Sequence, residues 1–371
     1  MFAGATGPAY APWDEWRGSE QDGHQRPLRG AILAASPHNT QPWLFEMSRD
    51  EVAVYADRSR HLGAFDPFRR EMHLGVGCAI ENFVCAARAF GLATDVRPVN
   101  GRLEPSSGRQ PILAARIALA QGQPAPDPFF HAIPRRRTNR GRYSDKPIAP
   151  ERLRRLIDLA SGATVRVVLL VDDGARRELG ALIVKATEQI VADSEMSMDS
   201  FRWIRTGRRE VLTHRDGVTI DASGVSRLTS VAGKMLPDFS ATRTDRIWVD
   251  ATRDVHTATA AVFGMILVQD RLDMAQSIEA GRAWQRLHLA AAAQGIAAQP
   301  LNQPIEMIDR HHMLGRQDEL GPALATLAHA TAGWEPTFVF RLGYADREAP
   351  RSPRRPLSDL VTEAPPATVW D

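Results

Sequence analysis

Cysteine is almost absent from this 371-residue chain: Cys78 and Cys85 are the two that occur. They sit seven apart in an apolar helical pattern. At 1.5 Å rise per residue that is roughly 10 Å, beyond disulfide reach. With no His or Cys neighbourhood around them they make no zinc site, and they read as core residues of a reduced protein. Lysine is scarce too, confined to Lys146, Lys185 and Lys234, so nearly all basic charge is arginine. A large charge of one sign is missing: 46 basic and 44 acidic residues leave a formal net charge of +2. That balance gives no reason to expect wholesale binding to nucleic acid or to a membrane surface.

Long apolar runs are missing as well. The uncharged run Thr257 to Gln269 is too short to span about 30 Å of hydrocarbon as a helix, and Leu74 to Leu92 carries Glu81, Asn82 and Arg88. The opening MFAGATGPAYAPW has no basic region followed by an apolar stretch, so a cytoplasmic protein is expected as the sequence stands; a trimmed twin-arginine leader would instead mean export. No GxGxxG follows a strand and no GxxxxGK[ST] occurs, so no glycine-rich phosphate loop is available. The absence of G-x-S-x-G argues against an α/β-hydrolase.

What is present is an ordinary globular composition, 43% hydrophobic and 24% charged, long enough for two domains or one large one. Residues 1–29 are polar and read as an arm. Gly30 to Ala35 reads as the end of a helix stopped by Pro37. Short strands are expected at Trp43–Met47, Val52–Tyr55, Asp95–Val99 and Ile112–Ala118, and a long apolar helix at Glu71–Phe90 closed by Gly91. The Pro-rich Gln121–Phe130 begins the linker, taken as 121–133. Beyond it, helices are expected at Pro150–Ala160, Arg176–Ile190 and Ser277–Gln294, and strands at Val165–Val171, Ala261–Val268 and Thr337–Arg341. The polar stretch 192–250, with no sustained period, reads as a functional cover or a mobile excursion.

Two helices echo one another. Gly77, Ala79, Ala86, Ala87 and Gly91 recur as Gly281, Ala283, Ala290, Ala291 and Gly295 at a constant offset of 204 residues. Any Ala-rich helix ending in Gly would align comparably. A second echo in the same order, Leu33-Ala34-Ala35-Ser36 and Leu159-Ala160-Ser161 before strands, favours a duplicated unit.

Four clusters carry chemistry. Ser36-Pro37-His38-Asn39-Thr40-Gln41-Pro42-Trp43 gathers hydroxyl, imidazole and amide groups in a loop stiffened by two prolines. An ordinary turn is the competing account, but the polar density suits a planar heteroaromatic ligand. Arg135 to Arg142 puts five guanidiniums in eight residues, able to grip a phosphate bidentately or to form a solvated face. Ala298-Gln299-Pro300-Leu301-Asn302-Gln303-Pro304 offers backbone N–H groups after the second Ala-rich helix. Arg351 to Pro356 is a cationic cluster that, by itself, reads as a basic tail. His311 and His312 are adjacent and point to different helix faces, so no metal is expected.

Together these stretches, AASPHNTQPWLF, ADRSRHLGAFDPFRREMHLGVGCAIEN, RRRTNRGRYSDKPI, AAAAQGIAAQPLNQPIE and RLGYADREAPRSPRRPLSDL, resemble the FMN-dependent nitroreductase family, and within it the self-fused Acg-like branch. The resemblance runs in order over roughly residues 30 to 362. It implies an α+β, nitroreductase-like fold: two pseudo-repeated halves in one chain, around mainly antiparallel sheets wrapped by helices. The halves are 30–120 and 134–362, with the lid-like excursion 192–250 in the second. Ordinary members are homodimers with two flavin sites at the interface; here each motif survives in one intact copy, so one site between the halves of a monomeric pseudo-dimer is expected.

By this resemblance, Arg136, Thr138 and Arg140 match the family's phosphate, ribityl and pyrimidine-edge contacts. Arg354 or Arg355 matches its C-terminal phosphate contact. Ser36, Pro37, His38, Asn39 and Gln41 match the loop from the opposite half. Gln303 falls where a backbone N–H meets flavin N5, with Pro300, Leu301 and Asn302 beside it. The implied activity is ping-pong hydride transfer from NADH or NADPH through FMN to a nitroaromatic or quinone-like small molecule. The chemistry lies at flavin N5, with no side chain named as catalytic. The alternative is an FMN-sequestering protein whose lid covers the flavin. A nucleic-acid binder using the arginine runs is the reading from a third class, and it predicts binding that collapses with salt.

Overall fold

The computed structural model describes residues 6–222, 240–331 and 333–363. Helices are α1 (Arg26–Ala31), α2 (Arg70–Ala89), α3 (Pro128–Ala132), α4 (Pro150–Ala160), α5 (Asp173–Ala192), α6 (Ser194–Phe201), α7 (Arg208–His214), α8 (Ala241–Ala251), α9 (Met274–Ala293), α10 (Gln303–Met313) and α11 (Leu320–Leu327). Strands are β1 (Trp43–Met47), β2 (Glu51–Ala56), β3 (Leu92–Pro98), β4 (Ile112–Gln121), β5 (Arg166–Leu170), β6 (Ile204–Arg205), β7 (Val218–Thr219), β8 (Val262–Val268), β9 (Ala297–Pro300), β10 (Glu335–Gly343) and β11 (Val361–Glu363).

The fold is mixed α+β. One sheet has the order β11-β1-β2-β4-β3 and the other β5-β8-β10-β9. Every ladder in them is antiparallel except β11 on β1, which is parallel. The C-terminal strand thus completes the sheet built by the first 121 residues, with Phe45 opposite Val361. Strand β8 (VFGMILV) is buried at every position, as a central strand with both faces covered must be.

Helices α2 and α9 pack against each other at the centre. Both have apolar or small residues around most of their circumference, which fits helices surrounded by protein. Gly77 and Gly281 let them approach: a Cβ on either would collide with the partner backbone, at Ile278 and Leu74 respectively. Asp66 starts α2 by accepting the backbone N–H groups of Glu71 and Met72 at 3.1 and 3.0 Å.

Four sequence expectations need amending. Residues 6–29 are not a detached arm: Trp13, Trp16 and Leu28 are buried in the larger core. Helix α1 ends at Ala31 and begins at Arg26, with Pro27 in its first turn, where a missing N–H costs nothing. The expected linker closes with α3, capped by the Asp127 side chain and anchored by the buried Phe130. The stretch 192–250 contains α6, α7, α8 and the parallel pair β6–β7; its residues 223–239 lie outside the described residues. Among the described residues, no helix is long and apolar enough to cross a membrane, and no group of His, Cys, Asp or Glu could hold a metal ion.

Candidate functional site

A cavity of about 240 Å³ opens where the two long helices, the loop after α1 and the segment before α10 meet. Ser36, Pro37, His38, Thr138, Arg140, Pro300, Asn302 and Gln303 line it, so stretches far apart in sequence converge on one space. Asn39, Gln41, Arg136, Leu301, Arg354 and Arg355 do not touch it and stand behind its wall.

The loop after α1 is held by its own side chains. His38, Asn39 and Gln41 all have positive φ, at 45°, 55° and 51°. Left-handed backbone at non-glycine residues costs on the order of 1–3 kcal/mol each and persists only where surroundings over-determine it. Here they do. Ser36 Oγ accepts from the Gln41 backbone N–H at 3.0 Å. Asn39 Nδ2 donates to Pro353 O at 3.0 Å and Gly217 O at 3.2 Å, while its Oδ1 accepts from Arg354. Gln41 Nε2 donates to Arg215 O at 2.9 Å, and its Oε1 accepts from Arg355 N–H at 2.8 Å. Asn39 and Gln41 therefore fasten the loop to the C-terminal segment and to the residues that lead into β7.

The arginines are placed by burial. Arg136 and Arg354 are 3% and 1% exposed, and both donate to the carbonyl of Leu33, two residues before cavity-lining Ala35. Neither has a carboxylate partner among the described ion pairs, and the Nε of each has no hydrogen-bond partner. Burial pushes the Arg136 guanidinium down to about 10 and Arg354 well below the usual range; Arg137, half-buried beside Arg136, falls to about 9. Trp13 backs this cluster, its ring 4.0 Å from the Arg137 guanidinium and 4.9 Å from that of Arg354. Two buried cations, Arg136 and Arg354, with no carboxylate paired to either among the described residues and half-buried Arg137 beside them, are an arrangement that an anionic ligand would relieve.

Thr138 bridges to Ala298, which brings the arginine stretch alongside β9. Arg140 donates to Ala222 O at 3.1 Å, and burial lowers its pKa to about 10. His38 is neutral at pH 7, held down to about 4 by burial and then by Arg140, and its Nε2 lies 2.9 Å from Ser200 Oγ. Asn302 Oδ1 accepts from Val339 N–H at 3.0 Å, while Leu301 is pinned to Val339 by its backbone N–H at 2.8 Å. Gln303, 4% exposed, leaves Oε1 unpartnered at the cavity.

The sequence reading gave no role to several lining groups. Trp284 of α9, Phe338 of β10 and Trp248 of α8 supply aromatic wall. Ser200, Phe201, Ile204, Val218 and Trp248 come from the 192–250 stretch, so its described parts cover the cavity. Glu71 of α2 and Glu306 of α10 are acids at the same wall. Both lie inside the stretches that carry the resemblance, but nothing in their local spacing shows that they meet.

A Mycobacterium tuberculosis protein named "Putative NAD(P)H nitroreductase Rv3131" is 27% identical over 341 residues, covering 89% of this chain and 88% of its own. By sequence, the chain is similar to putative NAD(P)H nitroreductases over most of its length. A second relative from the same organism, "Putative NAD(P)H nitroreductase acg", is 30% identical over 185 residues, 47% of this chain and 51% of its own. Among solved structures, the FMN-dependent nitroreductase NfnB from Mycobacterium smegmatis, in complex with NADPH, covers 62% of this chain and 95% of its own, at 18% identity and a TM-score of 0.39. No protein-family model matches this nitroreductase-like protein.

Proposed function

We propose that this protein binds one FMN per chain in the cavity and works as an NAD(P)H-dependent oxidoreductase on nitroaromatic or quinone-like small molecules. The observation that carries the reading is the pair Arg136 and Arg354: buried guanidiniums with unpartnered Nε atoms and, among the described residues, no carboxylate partner, abutting the wall formed by Ala35 and Ser36. Their chemistry fits a phosphate tail. The relatives' names support the activity class.

When bound, FMN supplies two-electron transfer between a nicotinamide and the acceptor. The chain supplies binding, orientation and exclusion of water. Arg136 and Arg354, behind the wall at Ala35 and Ser36, would hold the phosphate through charge-assisted hydrogen bonds. The strained Ser36–Gln41 loop and the Pro300–Gln303 segment would present polar groups to the rings, and Thr138 would serve the ribityl chain. Arg140 places positive charge at the cavity, where it would offset the negative charge of a reduced cofactor. Neutral His38 adds none. Trp284, Phe338 and Trp248 give the apolar surface on which a flat acceptor stacks.

The two halves, 30–120 and 134–362 with 121–133 between them, form a monomeric pseudo-dimer around this single site. The parallel addition of β11 to β1 supports it, because the C-terminal strand of the second half completes the sheet of the first. A flavin-sequestering role is the second reading, favoured by the cavity contacts of Ser200, Phe201, Val218 and Trp248. The visible spectrum of the purified protein tests both: one FMN per chain, bleached by NADH or NADPH, is expected. Zero or two equivalents overturn the single-site reading; one equivalent that excess nicotinamide leaves oxidised favours sequestration.

A further inference from the structure

Glu71 and Glu306 reach the cavity from α2 and α10, each 6% exposed, and act on one another as neighbouring buried acids. Two like charges so placed disfavour each other, so one carboxyl keeps its proton. The surroundings decide which. Glu71 Oε1 accepts from the Asn302 side-chain amide and lies 3.6 Å from Arg70 Nη2. Among the described residues Glu306 forms no ion pair, feeling Arg70 only at longer range, and its Oε2 has no hydrogen-bond partner while the residue lines the cavity.

The other charged groups packed around the pair leave the assignment unchanged. Arg70 is engaged first by Asp309, Nε to Oδ2 at 2.7 Å, and Asp309 is shared with Arg271 at 3.0 Å. Asp66 adds a further negative charge, and burial holds it up to about 7. Burial and the adjacent Glu71 push the Glu306 carboxyl well above the ordinary range.

We propose that Glu306 is the acid of this site: it keeps a proton at neutral pH and gives it to the acceptor that is reduced in the cavity. The proposal rests on the oxidoreductase reading above. A quinone that takes up a hydride originating in the nicotinamide needs one more proton to become the hydroquinone. A nitro group needs one hydride and one proton to become a nitroso group and water. In each case the acceptor oxygen takes the proton from the Glu306 carboxyl, the O–H bond pair stays on Glu306 as its carboxylate, and a solvent proton restores the acid. Glu71 is a positioning residue: burial raises its carboxyl too, but Arg70 and Asn302 favour its ionised form over that of its neighbour, which keeps the proton on Glu306.

Infrared difference spectroscopy through a pH titration tests the first half on the protein with no flavin added. A protonated-carboxyl C=O band at neutral pH that Glu306→Gln removes is expected; its absence from the wild-type protein overturns the proposal. In the flavin-loaded protein, Glu306→Gln should slow acceptor-dependent reoxidation by about 10²-fold, more than it slows reduction by the nicotinamide, and should remove a solvent deuterium isotope effect on reoxidation. A variant that keeps the wild-type reoxidation rate and isotope effect overturns it. If Glu306→Gln does not fold, the wild-type protein decides: reoxidation must fall over the pH range in which the band titrates, and a rate indifferent to that range overturns the proposal. Failure to take up FMN overturns the oxidoreductase reading instead, and the infrared band still reports whether Glu306 holds a proton.

Discussion

Gly77 and Gly281 hold exchanged places in one helix crossing: the Gly77 position abuts the Ile278 carbonyl, and the Gly281 position abuts the Leu74 carbonyl. Gly77 to Gly281 and Leu74 to Ile278 are both separated by 204 residues, so each helix presents to the other the surface it receives. The relation repeats one turn on. Glu81 bonds Arg286 at 2.8 Å and Asn82 Oδ1 accepts from Gln285 Nε2 at 2.7 Å, again positions exchanged under the same offset. That reciprocity is the signature of a two-fold interface, here within a single chain. Gly77→Ala and Gly281→Ala should each lower stability by about 2 kcal/mol, by similar amounts, because a Cβ forces the helices apart. Gly162→Ala, with open space at its Cβ, should change it by less than about 0.5 kcal/mol. Urea midpoints of the three variants check this, and a clear inequality between the first two would break the two-fold argument.

Arg136→Met should have opposite effects on the empty and the loaded protein. The substitution removes a buried cation that lacks a carboxylate partner, so the flavin-free protein should gain about 1 kcal/mol. The same change deletes a charge-assisted contact to phosphate, worth about 1.5–3 kcal/mol, so FMN affinity should fall roughly ten- to hundredfold. Riboflavin, which has no phosphate, should bind with nearly unaltered affinity. Calorimetric titration with the two ligands, beside thermal unfolding of the unloaded protein, measures each effect. Equal losses for FMN and riboflavin would place the phosphate elsewhere.

Legibility in the sequence followed the range of the interaction. Helix α4 was readable to its end residues because Pro150 and its apolar stripe are local signals, and β8 because seven consecutive buried residues leave no other reading. The loops around Ser36, Thr138 and Pro300 were readable as polar clusters between periodic elements, and the structure gathers them at one cavity. Three things were hidden. The left-handed backbone at His38, Asn39 and Gln41 depends on bonds to Pro353, Gly217 and Arg215, none of them nearby in sequence. The run Arg351–Pro356 looked like a tail because nothing local shows that Arg354 is enclosed by Leu33, Ala34 and Trp13. Glu71 and Glu306 had no role in the sequence, because nothing local shows that α2 and α10 bring them to one cavity.

Stability should carry the mark of the protonated Glu306. A glutamate in the unfolded chain titrates near 4.3, and in the fold Glu306 titrates well above that. Its folded pKa is raised, so its contribution is complete below about pH 4.3 and is lost as pH climbs toward the folded value. The loss is at most about 1.4 kcal/mol per pH unit for one proton. Asp66, raised to about 7 by burial, works in the same direction, whereas His38 and His73, lowered to about 4, contribute above pH 6.5 and lose it as pH falls. The clean quantity is therefore a difference. Glu306→Gln should gain stability relative to wild type between pH 5 and pH 8, because glutamine has no proton to lose. Urea midpoints at each pH give that difference, and a flat one would mean that Glu306 is ionised in the fold.

Asp216 locks the cover in place. It is 3% exposed, pairs with Arg205 Nη2 at 2.7 Å and is held by Arg60, and both guanidiniums lie over the Trp203 ring at 5.7 and 5.3 Å. Arg60 belongs to the turn after β2 and Arg205 to the cover itself, so one carboxylate joins the two. Asp216→Asn leaves two arginines without their counter-charge, a loss of about 3 kcal/mol or more at a buried pair. The bonds of Gly217 and Arg215 to Asn39 and Gln41 then carry more of the segment. Local opening should rise on the order of a hundredfold, read as faster limited proteolysis between residues 203 and 219. If these residues restrict the cavity, nicotinamide-dependent reduction should accelerate in parallel. Faster cleavage with an unchanged reduction rate would show a segment that moves without gating, and unchanged cleavage would show that the lock lies elsewhere.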